Sequence, residues 1–179
     1  MFWIFLCLKT ILNTIIQPFM ANGGKHYEVP CRKHRHLYPE QRELVTVSGF
    51  DAAALAGRKS ERERFNAILL DAPCSSERHV LASEKALQEW TPARPRSLGR
   101  RQWALLSAAF LLLAPGASLV YATCVLSPEE NDQVAGRLLK KYGDRIALDF
   151  PDFPAGTRSE FGRLICPDSD AGMGPMYVA

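Results

Sequence analysis

No paired-cysteine framework runs through these 179 residues. The five cysteines, Cys7, Cys31, Cys74, Cys124 and Cys166, are odd in number and irregularly spaced. That excludes a small secreted disulfide scaffold and favours a reducing compartment. A metal-ligand pattern is missing as well. Cys31, His34 and His36 have no second ligand pair after them, so no metal site is expected. No basic stretch precedes the apolar residues 1–20, which argues against a secretory leader. A stable membrane span is not expected either, because that run is marginal in length and carries Lys9, Asn13 and Gln17. Those polar residues recur four apart, on one helical stripe. Residues 1–20 are therefore predicted to form an amphipathic helix packed on the domain. Strong net charge is also lacking, and +3 decides no partner.

What is present fits one soluble domain: 47% hydrophobic and 23% charged residues over a chain of single-domain length. Two stretches are locally basic. One holds Lys25, Arg32, Lys33, Arg35 and Arg42; the other holds Arg94, Arg96, Arg100 and Arg101 with no acid between them. Both fit a polyanion such as RNA, although either alone also reads as solvated surface charge.

The hydrophobic pattern alternates strand with helix. Leu44-Val45-Thr46-Val47 reads as a strand, Ala52 to Ala56 as a short helix, and Ala67-Ile68-Leu69-Leu70 as a buried strand. A turn of helix is predicted at 84–90, stopped by Pro92 and Pro95. A long helix follows at 97–113, with Leu98, Leu105, Leu106, Ala109, Leu112 and Leu113 on its apolar face and Pro115-Gly116 as its stop. Residues 118–122 form the next strand. Ser127-Pro128-Glu129-Glu130 reads as a capping box opening a helix that buries Val134, Leu138 and Leu139. Residues 145–150, 163–166 and 175–178 are candidate strands. This order predicts an α/β sheet, largely parallel, whose ligands bind outside the carboxyl ends of the strands.

Three strand ends carry chemistry at that edge: Asp51, then Asp71-Ala72-Pro73-Cys74, then Thr123-Cys124. A single Cys after a strand packs in a core more often than it reacts; two on neighbouring strand ends shift that balance. Asp71 can cap a helix or accept from an amino group. Asp51 can cap the helix at Ala52 or accept from an adenine amino group or a ribose hydroxyl. Arg78 and His79 follow Cys74 closely, and positive charge near a sulfur favours thiolate.

Asp-Ala-Pro-Cys at 71–74, Pro-Gly at 115–116, Tyr-Ala-Thr-Cys at 121–124, Ser-Pro-Glu-Glu-Asn at 127–131 and the closing Gly-Pro-Met-Tyr-Val-Ala together resemble the RsmB/Nop/Sun family of RNA cytosine methyltransferases. The likeness covers roughly residues 40–179. It implies a Rossmann-like class I methyltransferase sheet, mostly parallel with a late antiparallel strand. It also implies S-adenosylmethionine as methyl donor and carbon 5 of an RNA cytosine as acceptor, in ribosomal RNA. By position, Cys124 is then the nucleophile, Cys74 assists release, and Asp71 holds the base. Asp51, Asp71 and Pro73 lie on the cofactor side, and Arg78, Arg96, Arg100 and Arg101 are phosphate contacts. The target base must leave its stack to reach such a pocket. A DNA cytosine methyltransferase is a competing reading, but it uses the Pro-Cys thiol as nucleophile and needs no Thr-Cys partner.

The chain departs from that family before residue 40. Its Gly-rich cofactor loop is matched only by Asn22-Gly23-Gly24-Lys25, too near Asp51 for the strand and helix that should intervene. The expectation is a partial catalytic domain over 40–179, missing its first strand or strands. A divergent segment, 1–39, precedes it, and residues 1–20 cover part of the gap. The alternative function is a non-catalytic remnant that binds RNA or a partner. Location is expected to be intracellular, cytoplasmic or mitochondrial.

Overall fold

The computed structural model describes residues 15–16, by backbone alone, together with 51–150 and 155–179. The Gly23-Gly24-Lys25 turn, the Cys31/His34/His36 group, the strand at 44–47 and all but two residues of the helix expected at 1–20 lie outside the described residues. Those two, Ile15–Ile16, form a short strand, β1.

A mixed sheet carries the molecule. β2 (Phe65–Asp71) lies parallel to β1 on one side and to β3 (Leu113–Thr123) on the other. β1 thus covers the β2 edge where a missing strand was expected, pairing Ile15 with Leu69 and Ile16 with Leu70. Beyond β3 run β6 (Met176–Val178), β5 (Arg163–Ile165) and β4 (Thr157–Arg158), each antiparallel to its neighbour. The antiparallel part is larger than the single late strand expected. The link between β4 and β5 is too short for a parallel crossover, so the two close as a hairpin.

Helices cover the sheet: α1 (Ala52–Leu55), α2 (Glu77–Leu81), α3 (Glu84–Gln88), α4 (Ala93–Leu112) and α5 (Asp132–Tyr142). Helix α4 is the main packing element. Its Leu105, Leu106, Ala108, Ala109 and Leu112 are buried against Ile68 and Leu70 of β2, Tyr121 of β3 and Val134 and Leu138 of α5. It starts four residues before the expected point because Pro95 sits in the first turn, where no backbone donor is needed. It stops at Leu112, and Pro115-Gly116 fall instead in a bulge of β3. The register passes from Phe65/Leu113 to Ala67/Ser118, and Gly116 adopts φ 76° there.

Two further expectations fail. Residues 145–150 are not a strand: a 3₁₀ turn, Gly143–Arg145, leads into irregular chain, and only Ile146 and Phe150 of that stretch are even half-buried. Helix α5 begins at Asp132 rather than behind Ser127, because Glu130 turns inward and is fully buried.

Gly99 of α4 sets how closely the two helices meet. A Cβ there would lie 2.5 Å from the Glu129 carbonyl oxygen. Gly99→Ala should therefore destabilise by about 1–3 kcal/mol through overpacking, although helix propensity alone would favour alanine by about 1 kcal/mol. A urea denaturation midpoint at or above wild type would show that the close approach does not constrain the fold.

Candidate active site

The sheet register brings the site together. Asp71, the last residue of β2, pairs with Ala122 of β3, and the Ala72 N–H donates to the Ala122 carbonyl. Pro73 has no donor, so pairing ends and the chain turns away. Thr123 ends β3 one residue further on. Cys74 and Cys124 therefore leave neighbouring strands at the same edge, with their sulfurs 2.6 Å apart. The Cys124 N–H donates to Cys74 Sγ over 3.3 Å. Ser76 Oγ lies 3.6 Å from Cys124 Sγ and 3.9 Å from Cys74 Sγ. Ser76 adopts φ 55°, a left-handed conformation that costs a non-glycine residue about 1–3 kcal/mol. Sequence reasoning gave no sign of Ser76.

The two thiols share a proton between unequal positions. Cys124 is exposed and Cys74 half-buried, so negative charge is better solvated at Cys124. Hydrogen bonding from Cys74, with help from Ser76, pulls the Cys124 thiol down to about 6 against the desolvation and the Asp71 charge that oppose it. Donation to Cys124 and then burial push Cys74 up. No cation does this work. Arg78, expected near the sulfur or on RNA, instead donates to the Gly172 carbonyl at 3.1 Å and to that of Gly174. It ties α2 to the loop before β6.

Beneath the cysteines lies a buried polar frame. Glu130 accepts from the Ser75 N–H at 3.0 Å, from Ser75 Oγ at 2.5 Å and from Gln102 Nε2 at 2.8 Å. Gln102 Nε2 also donates to the Pro73 carbonyl at 2.9 Å. Asn131 Oδ1 accepts from Thr123 Oγ1 at 2.6 Å, and its Nδ2 donates to the Val125 carbonyl at 2.9 Å. Tyr121 Oη donates to the Glu130 carbonyl at 2.6 Å. Glu130 was legible only as a helix cap, and Gln102 and Asn131 not as site residues at all. The side-chain partners of Glu130 and Gln102 lie 28–55 residues away.

The other expected site residues divide. Asp71 is exposed at the edge beside the cysteines. Asp51 caps α1, accepting from the Ala53 N–H at 3.0 Å, and pairs with Arg101 at 2.7 Å. The Arg101 guanidinium holds its carboxyl below the usual range. Arg101 thus faces α1, away from Arg96 and Arg100. Those two line a groove of about 210 Å³ between α4 and α5 with Trp103, Glu129 and Arg137. Arg137 stacks 4.4 Å from the Trp103 ring centre. Among the described residues no group of three or more His, Cys, Asp or Glu could hold a metal ion, and no helix is long and apolar enough to cross a membrane.

Comparison with known proteins places the fold in a family. A family described as 16S rRNA methyltransferase RsmB/F matches residues 41–179. The "Ribosomal RNA small subunit methyltransferase F" of Vibrio parahaemolyticus is 42% identical over 108 residues, 60% of this chain and 22% of that protein. The chain thus spans about a fifth of the length of the curated relatives it matches. Among solved structures, NSun6 from Pyrococcus horikoshii with SFG is similar at TM-score 0.57 and 28% identity, covering 73% of this chain and 32% of that one. A methyltransferase homolog protein from the same organism gives TM-score 0.56 and 26% identity, covering 73% of this chain and 42% of that one.

The thiol pair yields a pH prediction. The Cys124 pKa is lowered, so its thiolate is present above about pH 6 and is lost as pH falls through that value. Iodoacetamide should label Cys124 before Cys74, with a midpoint near pH 6. Cys74→Ala removes the main donor and should raise the midpoint by about 1 unit or more. Peptide mass mapping across pH checks this; an unchanged midpoint would rule out Cys74 as the cause.

Proposed function

The chain belongs to the RsmB/F family of 16S rRNA methyltransferases, and from that premise we propose that it takes part in methylating carbon 5 of a cytosine in ribosomal RNA. The observation that carries this is the pair of strand-end thiols, 2.6 Å apart, with Cys124 favoured as thiolate. Cytosine carbon 5 is a poor nucleophile until a thiolate adds to carbon 6. Cys124 is exposed to make that bond. The adduct then places electron density at carbon 5. Transfer of the carbon 5 proton to water after methylation re-forms the double bond and expels the Cys124 sulfur as thiolate. Cys74, holding its proton beside that sulfur, hydrogen-bonds the departing thiolate. Asp71 accepts from the amino edge of the base.

S-adenosylmethionine supplies an electrophilic methyl group in this chemistry. The relative from Pyrococcus horikoshii was solved with SFG, an analogue of that cofactor. Asp51 and Asp71 are the acceptors this chain would offer to the cofactor's hydroxyl and amino groups, with Pro73 on the same turn as Asp71, and Asp51 would have to exchange its bonds to Arg101 and the Ala53 N–H to do so. Arg96 and Arg100, with Arg137 and Trp103 in the same groove, are suited to RNA phosphates. Arg78 and Arg101 are engaged within the protein, which makes them poorer phosphate ligands. An rRNA substrate and bacterial relatives favour the cytoplasm over a mitochondrion.

Trapping tests the chemistry. RNA carrying 5-fluorocytidine at the target position, with cofactor, should form a covalent adduct that survives Cys74→Ser and disappears with Cys124→Ser. An adduct that persists in Cys124→Ser would assign the attack to another residue. No adduct with wild type would favour the alternative, a chain that binds RNA without catalysis. For the groove, Arg96→Gln with Arg100→Gln should weaken RNA binding and lower the slope of log K against log salt by about 2. A slope equal to wild type would remove these arginines from the interface.

A further inference from the structure

We infer that Glu130 and Asn131 are positioning residues: one buried dipeptide holds the loop around Cys74 with its first side chain and the loop around Cys124 with its second, and thereby sets where the two sulfurs meet. The inference deepens the reading of these cysteines as the reacting pair.

The geometry is specific to the cysteines' neighbours. Cys74 lies between Pro73 and Ser75. Ser75 is bound to the Glu130 carboxylate through both its N–H and its hydroxyl, and Pro73 is reached through Gln102, which donates to the same carboxylate and to the Pro73 carbonyl. Cys124 lies between Thr123 and Val125. Asn131 accepts from the Thr123 hydroxyl and donates to the Val125 carbonyl. Each cysteine is thus held by the residues on both its sides, and neither Glu130 nor Asn131 is bonded to a sulfur. The two clamps are one peptide unit apart, and a trans peptide fixes its Cα atoms about 3.8 Å from each other. Covalent geometry therefore limits how far the two loops can separate.

Stability alone does not explain this frame. Glu130 and Asn131 are 0% and 1% exposed. Burying a carboxylate among neutral partners is seldom better than an apolar replacement of the same shape. Gln102 carries a further cost: its Oε1 is buried with no partner among the described residues, a penalty of about 1–3 kcal/mol. What the polar frame supplies and an apolar core does not is direction, because hydrogen bonds weaken steeply off angle. A displacement of about 1 Å at a reacting centre can slow a reaction by about a hundredfold.

The test reads the sulfurs without RNA or cofactor, in the full chain. Glu130→Gln and Asn131→Asp each turn a donor–acceptor contact into a mismatch, and Ser75→Ala and Thr123→Val each delete a single hydroxyl contact to the clamps. Each should move the pH midpoint of Cys124 alkylation upward from about 6, by about 1 unit or more. Tyr177→Phe is the structural control. It removes a bond of 2.8 Å from a fully buried side chain to Asp132, outside both clamps. It should lower the urea midpoint and leave the alkylation midpoint in place. If Glu130→Gln or Asn131→Asp fails to fold, the two hydroxyl deletions decide. Folded clamp variants with an unchanged midpoint, or a Tyr177→Phe shift as large as theirs, would overturn the inference. Failure of RNA trapping would leave this result standing, so the two readings fail separately.

Discussion

Three donors converge on the Glu130 carboxylate, in a place that water does not reach. A buried acceptor-only group of this kind is strongly destabilising if its partners leave. It therefore constrains everything that touches it. Ser75 must stay under the sheet edge, which fixes the turn after β2. Gln102 must face inward, which fixes the rotation of α4. The backbone at Glu129 must come close to α4, and only a residue without a Cβ at Gly99 permits that approach. Helix α5 in turn starts late, because residue 130 is spent on the site and not on a capping box.

These dependencies explain what the sequence made legible and what it did not. Strand ends, the Asp51 cap and the facing cysteines rest on signals within a few residues: a β-branched or apolar run, an acid before a short helix, a proline that ends pairing. Each was readable. Glu130 carries a local signal as well, a Ser-Pro-Glu-Glu start, but its partner Ser75 lies 55 residues away, and that long-range bond overrides the local one. Gln102 looks like one more polar residue on a long helix. Arg78 and Arg101 show the converse case. Basic residues near a reactive stretch read as phosphate ligands, yet one holds two loop carbonyls and the other an aspartate. A side chain's partners are not written in its immediate neighbours.

The groove between α4 and α5 extends the same logic to the surface. Arg96, Arg100 and Trp103 stand at helical spacing on one face of α4, and Arg137 of α5 meets the tryptophan across the seam. Both helices begin near the carboxyl edge of the sheet, where the cysteines also lie. A basic, partly aromatic surface is thus set toward the end of the molecule that carries the thiols, a disposition that suits a nucleic-acid backbone delivering a base to that edge.

Why a second thiol should replace a cation follows from the two demands on Cys124. The lowered Cys124 pKa raises the fraction present as thiolate at neutral pH. Nucleophilicity falls along with pKa, so part of that gain in attack is given back. Expulsion gains without that offset, since a thiol of lower pKa leaves faster. In the proposed reaction the arrangement would therefore serve release more than attack. A fixed arginine would hold the thiolate just as well before attack, but it carries its charge at every stage. A thiol donor is neutral, hydrogen-bonds strongly only when a thiolate faces it, and sets no fixed charge beside the sulfur once that sulfur is bound as a thioether. Attack in that reaction would then depend also on where the sulfur is held, which returns the burden to the frame beneath it.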